Sequence, residues 1–230
     1  MNENQKLPYP ILLFDLDGTL LDTSEGIRKS VEETLRIMGL PQLPEEIIRS
    51  FVGPPINRSL QVTFNLSEAD TIKGTNLFRD LYKTKYLFDA KPYPDLYEVL
   101  TDLKQAGYKL GVATYKREDY AIRLLDQFKL TAFFHVIHGC DFESRLSKTD
   151  IIRLTLKDMK CSVPKEAALI GDTIHDQRSA EECGISFLAV TYGFGFVPGE
   201  SVRAEGCFDS VRELGENLLS YNKRKENMPE

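Results

Sequence analysis

Apolar residues along this chain follow two rhythms. Ile11, Leu12, Leu13 and Phe14 form a run without alternation, the pattern of a parallel strand covered on both faces. From Ser24 to Met38 the spacing changes: Ile27, Val31, Leu35 and Met38 recur at helical intervals, Ser24 is placed to cap the start, and Gly39 ends the run. Between Pro44 and Asp89 successive helical patterns follow (PEEIIRSFV, PINRSLQVTF, SEADTIKG and NLFRDLYKTKYLF) with no strand among them. That segment closes at Lys91-Pro92-Tyr93-Pro94-Asp95, whose two prolines stiffen the chain, and Pro94 suits the first residue of a helix running to Gln105, with Gly107 beyond its end.

Thereafter strands and helices alternate. The pattern predicts strands at Tyr108 to Thr114, His135 to His138, Ala167 to Ile170 and Ile185 to Val190. Helices are predicted at Glu118 to Phe128, Thr149 to Met159 and Ile174 to Cys183. Alternation of this length implies an α/β fold with a doubly wound, parallel, Rossmann-like sheet and right-handed crossovers. Residues 1–22 and 91–230 then make the core domain and 23–90 an inserted all-helical domain, with hinges near Asp22 to Ser24 and Ala90 to Pro94.

Composition narrows the class of partner. With 42% hydrophobic and 28% charged residues in 230, the chain is globular and can bury a substantial core. A net charge of −6 argues against nucleic acid or an anionic membrane as partner, so an anionic substrate would need local positive charge or a metal. No apolar run approaches the roughly 20 residues of a membrane span. Cys140, Cys161, Cys183 and Cys207 show no paired spacing, and the opening residues are polar rather than signal-like, so a cytoplasmic protein with reduced thiols is expected. The ends, MNENQK and NKRKENMPE, read as frayed.

Candidate chemistry gathers at strand ends. Asp15 and Asp17 fall where the first strand delivers them to its carboxyl end, the edge at which open α/β sheets bind ligands. Two acids there call for positive charge, and Mg²⁺, which prefers carboxylate and carbonyl oxygens, is the natural compensator. A carboxylate can also attack phosphorus to give an aspartyl-phosphate while a neighbouring carboxyl moves the proton. Asp-Gly is equally an ordinary turn signal, so the structural reading stays open on these residues alone. Thr114 ends the strand LGVAT, which turns its hydroxyl toward the same crevice, although strand-end threonines also bond locally. Lys148 stands at the start of a helix, where positive charge opposes the dipole and asks for an anion; a solvated lysine is the plain alternative. Asp172 ends a strand and Asp176 follows four residues later on the same helical face, a pair that repels by about a few tenths of a kcal/mol unless a cation intervenes. Capping of the helix by Asp172 is the structural alternative. His175, between them, is not read as a ligand because Mg²⁺ sites seldom recruit imidazole, and His135 and His138 read as structural.

In order, DLDGTLLDT (from Asp15), Thr114, Lys148 and LIGDTIHD (ending at Asp176) resemble the four signatures of the haloacid dehalogenase-like superfamily of phosphohydrolases. The likeness covers nearly the whole chain. PYPD followed by LYEVLTDLKQAGY resembles the family's return from a helical cap, where glycine more often stands at Asp95. AVTYGFG resembles the strand and loop after the fourth signature in the phosphoglycolate phosphatase-like branch.

The resemblance implies that Asp15 is the nucleophile and Asp17 the general acid and base. Thr114 and Lys148 would hold the phosphoryl group, and Mg²⁺ would be bound by Asp15, Asp17 through its carbonyl, and Asp172, with Asp176 behind them or acting through water. Gly18 and Thr19 after the nucleophile would meet substrate, as would Tyr115, which stands before Lys116 where the family usually has Asn. In the cap, the loop FVGPP with Gly53, and Arg58 beyond it, would recognise the leaving group; an exposed helix face is the alternative for Arg58. The expected protein is a Mg²⁺-dependent phosphatase of a small phosphorylated metabolite, a monomer or homodimer. A phosphosugar mutase would use the same aspartates, and a non-catalytic binding protein would keep the same fold. A dehalogenase would not need Asp17, and a phosphonatase would need a cap lysine for which no candidate stands out.

Overall fold

A computed structural model of the chain describes residues 9–143 and 145–226. The apolar quartet is strand β1, Ile11–Phe14, with all four side chains buried. Two short strands, β2 (Leu21–Asp22) and β3 (Lys91–Pro92), pair with each other. The remaining strands are β4 (Lys109–Arg117), β5 (Val136–Cys140), β6 (Ala167–Gly171), β7 (Ser186–Val190) and β8 (Gly206–Phe208). With β1 they form a parallel sheet in the order β5-β4-β1-β6-β7-β8. The chain therefore winds outward from β1 in one direction and then returns to wind outward from β6 in the other. Such a reversal opens a crevice at the carboxyl ends of the two strands that flank it. Asp15 follows β1 and Asp172 follows β6, so the topology alone brings these two acids to one place.

Contacts divide the chain into two compact units, Met1–Leu21 with Pro92–Glu230, and Asp22–Lys91. The second contains helices α1 (Ser24–Met38), α2 (Glu45–Arg49), α3 (Ile56–Phe64) and α4 (Glu68–Leu81), followed by a π-helical turn at Tyr82–Tyr86. Thr23 rather than Ser24 is the N-cap of α1, and the Ser24 hydroxyl donates to Asp22 at 2.5 Å. Gly39 ends α1 in the left-handed conformation, as its position predicts. Within this unit α4 packs on α1 and α3, and Lys29 bonds Asp89 at 2.7 Å.

The sheet unit carries α5 (Leu96–Gln105), α6 (Glu118–Gln127), α7 (Lys148–Asp158), α8 (Ile174–Cys183) and α9 (Val211–Glu226). Ile11 and Leu13 share a buried cluster with Ile151, Ile152 and Leu156 of α7 and Ala180 of α8, so these two helices cover one face of β1. Side chains alternate along a strand, and the ladder continues past β1 through the Asp15 N–H to the Ile170 carbonyl at 2.9 Å. Asp15 thus falls on the face covered by α7 and α8, which is why it meets residues from the first turns of both. No described helix is long and apolar enough to cross a membrane.

Three expectations need correction. Strand β4 runs three residues past Thr114, to Arg117. Of the stretches expected to fray, Asn222 to Glu226 continue α9, while MNENQK and residues 227–230 lie outside the described residues. Pro94 is not the first helical residue either: α5 begins at Leu96, and Asp95 caps it in the left-handed region with φ 64°. Glycine adopts that conformation freely, which accounts for its frequency at this point in the resembling family. Here Asp95 tolerates it while its carboxylate accepts from Arg212 at 2.7 and 3.1 Å.

Left-handed backbone costs a non-glycine residue about 1–2 kcal/mol, whereas the Arg212 pair is exposed and screened by solvent. Asp95→Gly is therefore expected to leave stability within about 1 kcal/mol of the parent in urea unfolding, whereas Asp95→Val should lose about 1–2 kcal/mol. Equal losses for both would show that the backbone conformation is not what this position constrains.

Candidate active site

Two helix starts deliver charge to the crevice. Ser147 caps α7 in a reciprocal box with Asp150, which fixes Lys148 as the first helical residue. Its buried ammonium lies 2.6 Å from Asp15 Oδ1 and 2.8 Å from Asp176 Oδ1. Helix α8 opens with the same device. Thr173 is the cap, and Asp176 reaches back to accept from the Thr173 N–H at 3.1 Å and hydroxyl at 2.6 Å. Capping therefore belongs to Thr173 and Asp176, which leaves Asp172 for other work.

Asp172 is fully buried. Its Oδ2 accepts from the Phe194 N–H at 2.7 Å and its Oδ1 from the Thr19 hydroxyl at 3.4 Å. Two glycines wall it in. Gly18 sits at φ 77°, and a Cβ there would lie 2.2 Å from Asp172 Oδ2; a Cβ at Gly193 would lie 2.4 Å from the same oxygen and 2.4 Å from the Gly18 carbonyl. No side chain larger than hydrogen fits at either place.

Both oxygens of Asp17 meet the Lys116 ammonium, at 2.8 and 3.0 Å. Thr114 is buried, and its hydroxyl oxygen accepts from the Lys116 N–H at 3.2 Å.

Electrostatics make the cluster incomplete by itself. Asp15, Asp172 and Asp176 each offer an oxygen within 4.8 Å of the other two. Burial, with Asp176 and Asp15 adding repulsion, pushes the Asp172 carboxyl up to about 8 despite the Phe194 N–H. Burial also raises Asp15, against the pull of Lys148. For Lys148 burial works the other way, but Asp15 and Asp176 outweigh it and hold the ammonium above the usual lysine range. Four carboxylates face two ammoniums, a shortfall of two positive charges in a site whose donors are all oxygen. A hard divalent cation such as Mg²⁺ fits that donor set and that charge.

Asp15, Asp17, Thr114, Lys148, Asp172 and Asp176 all stand in one crevice of the sheet unit. The Gly18 and Thr19 N–H groups donate within the turn, to the Leu21 and Leu16 carbonyls at 2.9 and 3.3 Å. The Tyr115 ring packs on the apolar cluster around Cys140 and Ile151, away from its neighbours Thr114 and Lys116. Gly53 and Arg58 belong to the helical unit, the first at φ 99° in the loop after α2 and the second exposed on α3. His175 is exposed, and His138 lies between Glu118 and Asp158. Lys116, which pairs with Asp17, was not among the expected site residues; its signal was a basic side chain two positions beyond Thr114.

Comparison with known proteins identifies the family. A family model of haloacid dehalogenase-like hydrolases matches residues 12–190. The chain belongs to that family. It is 32% identical to a 5'-nucleotidase of Pseudomonas aeruginosa over 190 residues, covering 82% of this chain and 86% of the relative. Its identity is 31% with a phosphoglycolate phosphatase of Agrobacterium fabrum, with 89% and 90% covered, and 32% with the tyrosine-protein kinase PtkA of Mycobacterium tuberculosis, with 90% and 72% covered. A crystal structure of a predicted phosphatase from Clostridium acetobutylicum superposes with a TM-score of 0.84 at 33% identity, over 92% of this chain and 99% of that one. The phosphoric monoester hydrolase expected from the sequence is thus a haloacid dehalogenase-like phosphatase, and its sheet is that family's Rossmann-like core.

The raised carboxyls set a direction for stability. A carboxyl that titrates higher when folded holds a proton the unfolded chain has released, so without metal stability falls as pH rises from about 4 toward 8. Melting in EDTA is expected to drop by on the order of 5 °C between pH 5 and pH 8, and Mg²⁺ should recover most of that loss at pH 8. A melting temperature that rises over this range and ignores Mg²⁺ would contradict the charge shortfall.

Proposed function

We propose that the protein is a Mg²⁺-dependent phosphatase of small phosphomonoesters working through an aspartyl-phosphate on Asp15. The observation that carries this reading is the meeting of Asp15, Lys148, Asp172 and Asp176 at the point where the sheet reverses its winding. Asp15, the Asp17 carbonyl and Asp172 would hold the cation. Asp176, whose two oxygens already serve Lys148 and the cap of α8, steadies Lys148 behind them. When bound, the cation supplies the missing positive charge and draws a phosphoryl oxygen toward Asp15.

Asp15 then attacks phosphorus. A bond forms from its carboxylate oxygen to phosphorus as the bond to the leaving oxygen breaks, and Asp17 gives that oxygen a proton. In the second half water attacks the same phosphorus, the bond to Asp15 breaks with its electron pair returning to the carboxylate, and Asp17 takes the proton from water. Lys148 and the Thr114 hydroxyl hold the equatorial oxygens, where charge must be stabilised throughout. Residues 23–90 act as the cap domain that excludes water and recognises the leaving group, with Gly53 and Arg58 as its contact points. The substrate is a small, cytoplasmic phosphorylated metabolite, and the names of the relatives put phosphoglycolate and nucleoside monophosphates first among candidates.

Phosphate release from a panel of such esters should require Mg²⁺, stop with EDTA and need no bisphosphate activator. Asp15→Asn should lower kcat at least about 10³-fold while the fold and its melting temperature persist. Near-native turnover by that variant would remove Asp15 as nucleophile. Arg58→Ala should alter preference within the panel more than it alters turnover of the poorest substrate, and an unchanged ranking would take Arg58 out of substrate recognition.

A further inference from the structure

We propose that Lys116 is a positioning residue for Asp17 and that the irregular end of β4 serves to aim it, an assignment that rests on the phosphatase reading above. Up to Ala113 the ladder between β4 and β5 is regular, with Ala113 opposite His138. The next recorded pair is Arg117 opposite Cys140, so three residues of β4 (Thr114, Tyr115 and Lys116) are set against Gly139 alone. Extra residues of this kind bend a strand and redirect its side chains, and they concentrate beside active sites. Here the redirection brings Thr114 and Lys116 to the crevice together, joined by the Lys116 N–H to the Thr114 hydroxyl oxygen, while Tyr115 turns to the apolar cluster.

The partner strand is built to receive this distortion. A Cβ at Gly139 would lie 2.5 Å from the Lys116 carbonyl and 2.6 and 2.7 Å from the Glu118 backbone, so bare backbone is required there. The Glu118 carboxylate accepts from the Gly139 N–H at 3.1 Å and meets His138 at 3.2 Å, and His138 in turn meets Asp158, the last residue of α7, at 2.9 Å. The bulge is therefore fastened to β5, α6 and α7 and does not depend on the lysine itself.

Lys116 reaches the Asp17 carboxylate. Its side chain is only 6% exposed, and its ammonium spans both oxygens of Asp17 at 2.8 and 3.0 Å. A carboxylate gripped at both oxygens has lost its rotational freedom, which matters most when it must receive a proton from attacking water. In that step the water oxygen bonds to phosphorus, the phosphorus–oxygen bond to Asp15 breaks toward Asp15, and the water proton passes to Asp17. Misplacing the acceptor slows this half of the cycle even where the first half has no need of it.

p-Nitrophenyl phosphate separates the halves, because nitrophenolate leaves without a proton. With Mg²⁺, Lys116→Met is expected to give a burst of nearly one nitrophenolate per active site followed by a kcat about 10- to 100-fold below the parent. KM should fall in parallel, so that kcat/KM stays within about threefold. With phenyl phosphate, which needs the acid, kcat/KM should fall by at least about tenfold. Lys116→Arg, which keeps a charged donor, should recover much of the loss if the lysine acts by holding Asp17. An equal loss of kcat/KM on both esters would mean that Lys116 binds phosphate or supports the fold, and an unchanged kcat would mean that it does nothing for Asp17; either overturns the assignment. If the parent itself releases no nitrophenolate with Mg²⁺, the phosphatase reading fails first and takes this assignment with it.

Discussion

Four carboxylates drawn into one crevice with two ammoniums are the constraint on which this structure turns. Like charges at such separations repel, and burial removes the water that would screen them. The fold nonetheless places Asp15 and Asp172 just past the ends of the two strands that flank the winding reversal, and Asp176 on the helix that follows. Buried ionic groups of this kind are poor sources of stability, so their concentration at one sheet edge reads as function rather than as architecture. Lys148 illustrates the same point from the other sign. A lysine at the first residue of a helix opposes the dipole and is seldom buried, yet here both disadvantages are met by two carboxylates within 2.8 Å.

Local backbone devices hold these charges in place. Helices α7 and α8 both begin with reciprocal caps, so the direction in which each enters the crevice is set within four residues of its start. The loop after β7 does the same for Asp172. Its Tyr192 hydroxyl donates to the Thr19 carbonyl at 3.1 Å, and its ring packs 4.6 Å from that of Tyr93, while two residues on the Phe194 N–H holds the carboxylate. The first and last signatures of the family are thus tied together by this one loop.

How much of this was legible before the coordinates depended on the kind of signal. Continuous apolar runs such as Ile11 to Phe14 and helical spacing such as Ile27 to Met38 report burial directly, and both elements appear as expected. The acids and Lys148 were legible because their chemistry is expensive in any other setting. Lys116 was hidden because a strand read as ending at Thr114 gives no reason to extend alternation two residues further, and the bulge that extends it has no sequence pattern of its own. Pro94 was misjudged because proline rules favour the first turn of a helix, whereas here the helix starts two residues later, after Asp95 has taken the left-handed conformation. Strand β8 is three residues at the sheet edge, too short to show a period. The hydrogen bonds of Gly18 and Thr19 depend on how the turn closes, which their identities leave open.

The pairing of β2 with β3 has a bearing on descent as well as on shape. Neighbouring strands lie about 5 Å apart, so the 70-residue helical segment Asp22–Lys91 departs and comes back at nearly the same point, where Lys91 and Asp22 approach to 3.4 Å. Any segment whose two ends meet this closely can be replaced during evolution without moving a strand of the sheet. Relatives with such differently named activities can thus diverge by exchanging or reshaping one module, while the buried acids stay where the sheet puts them.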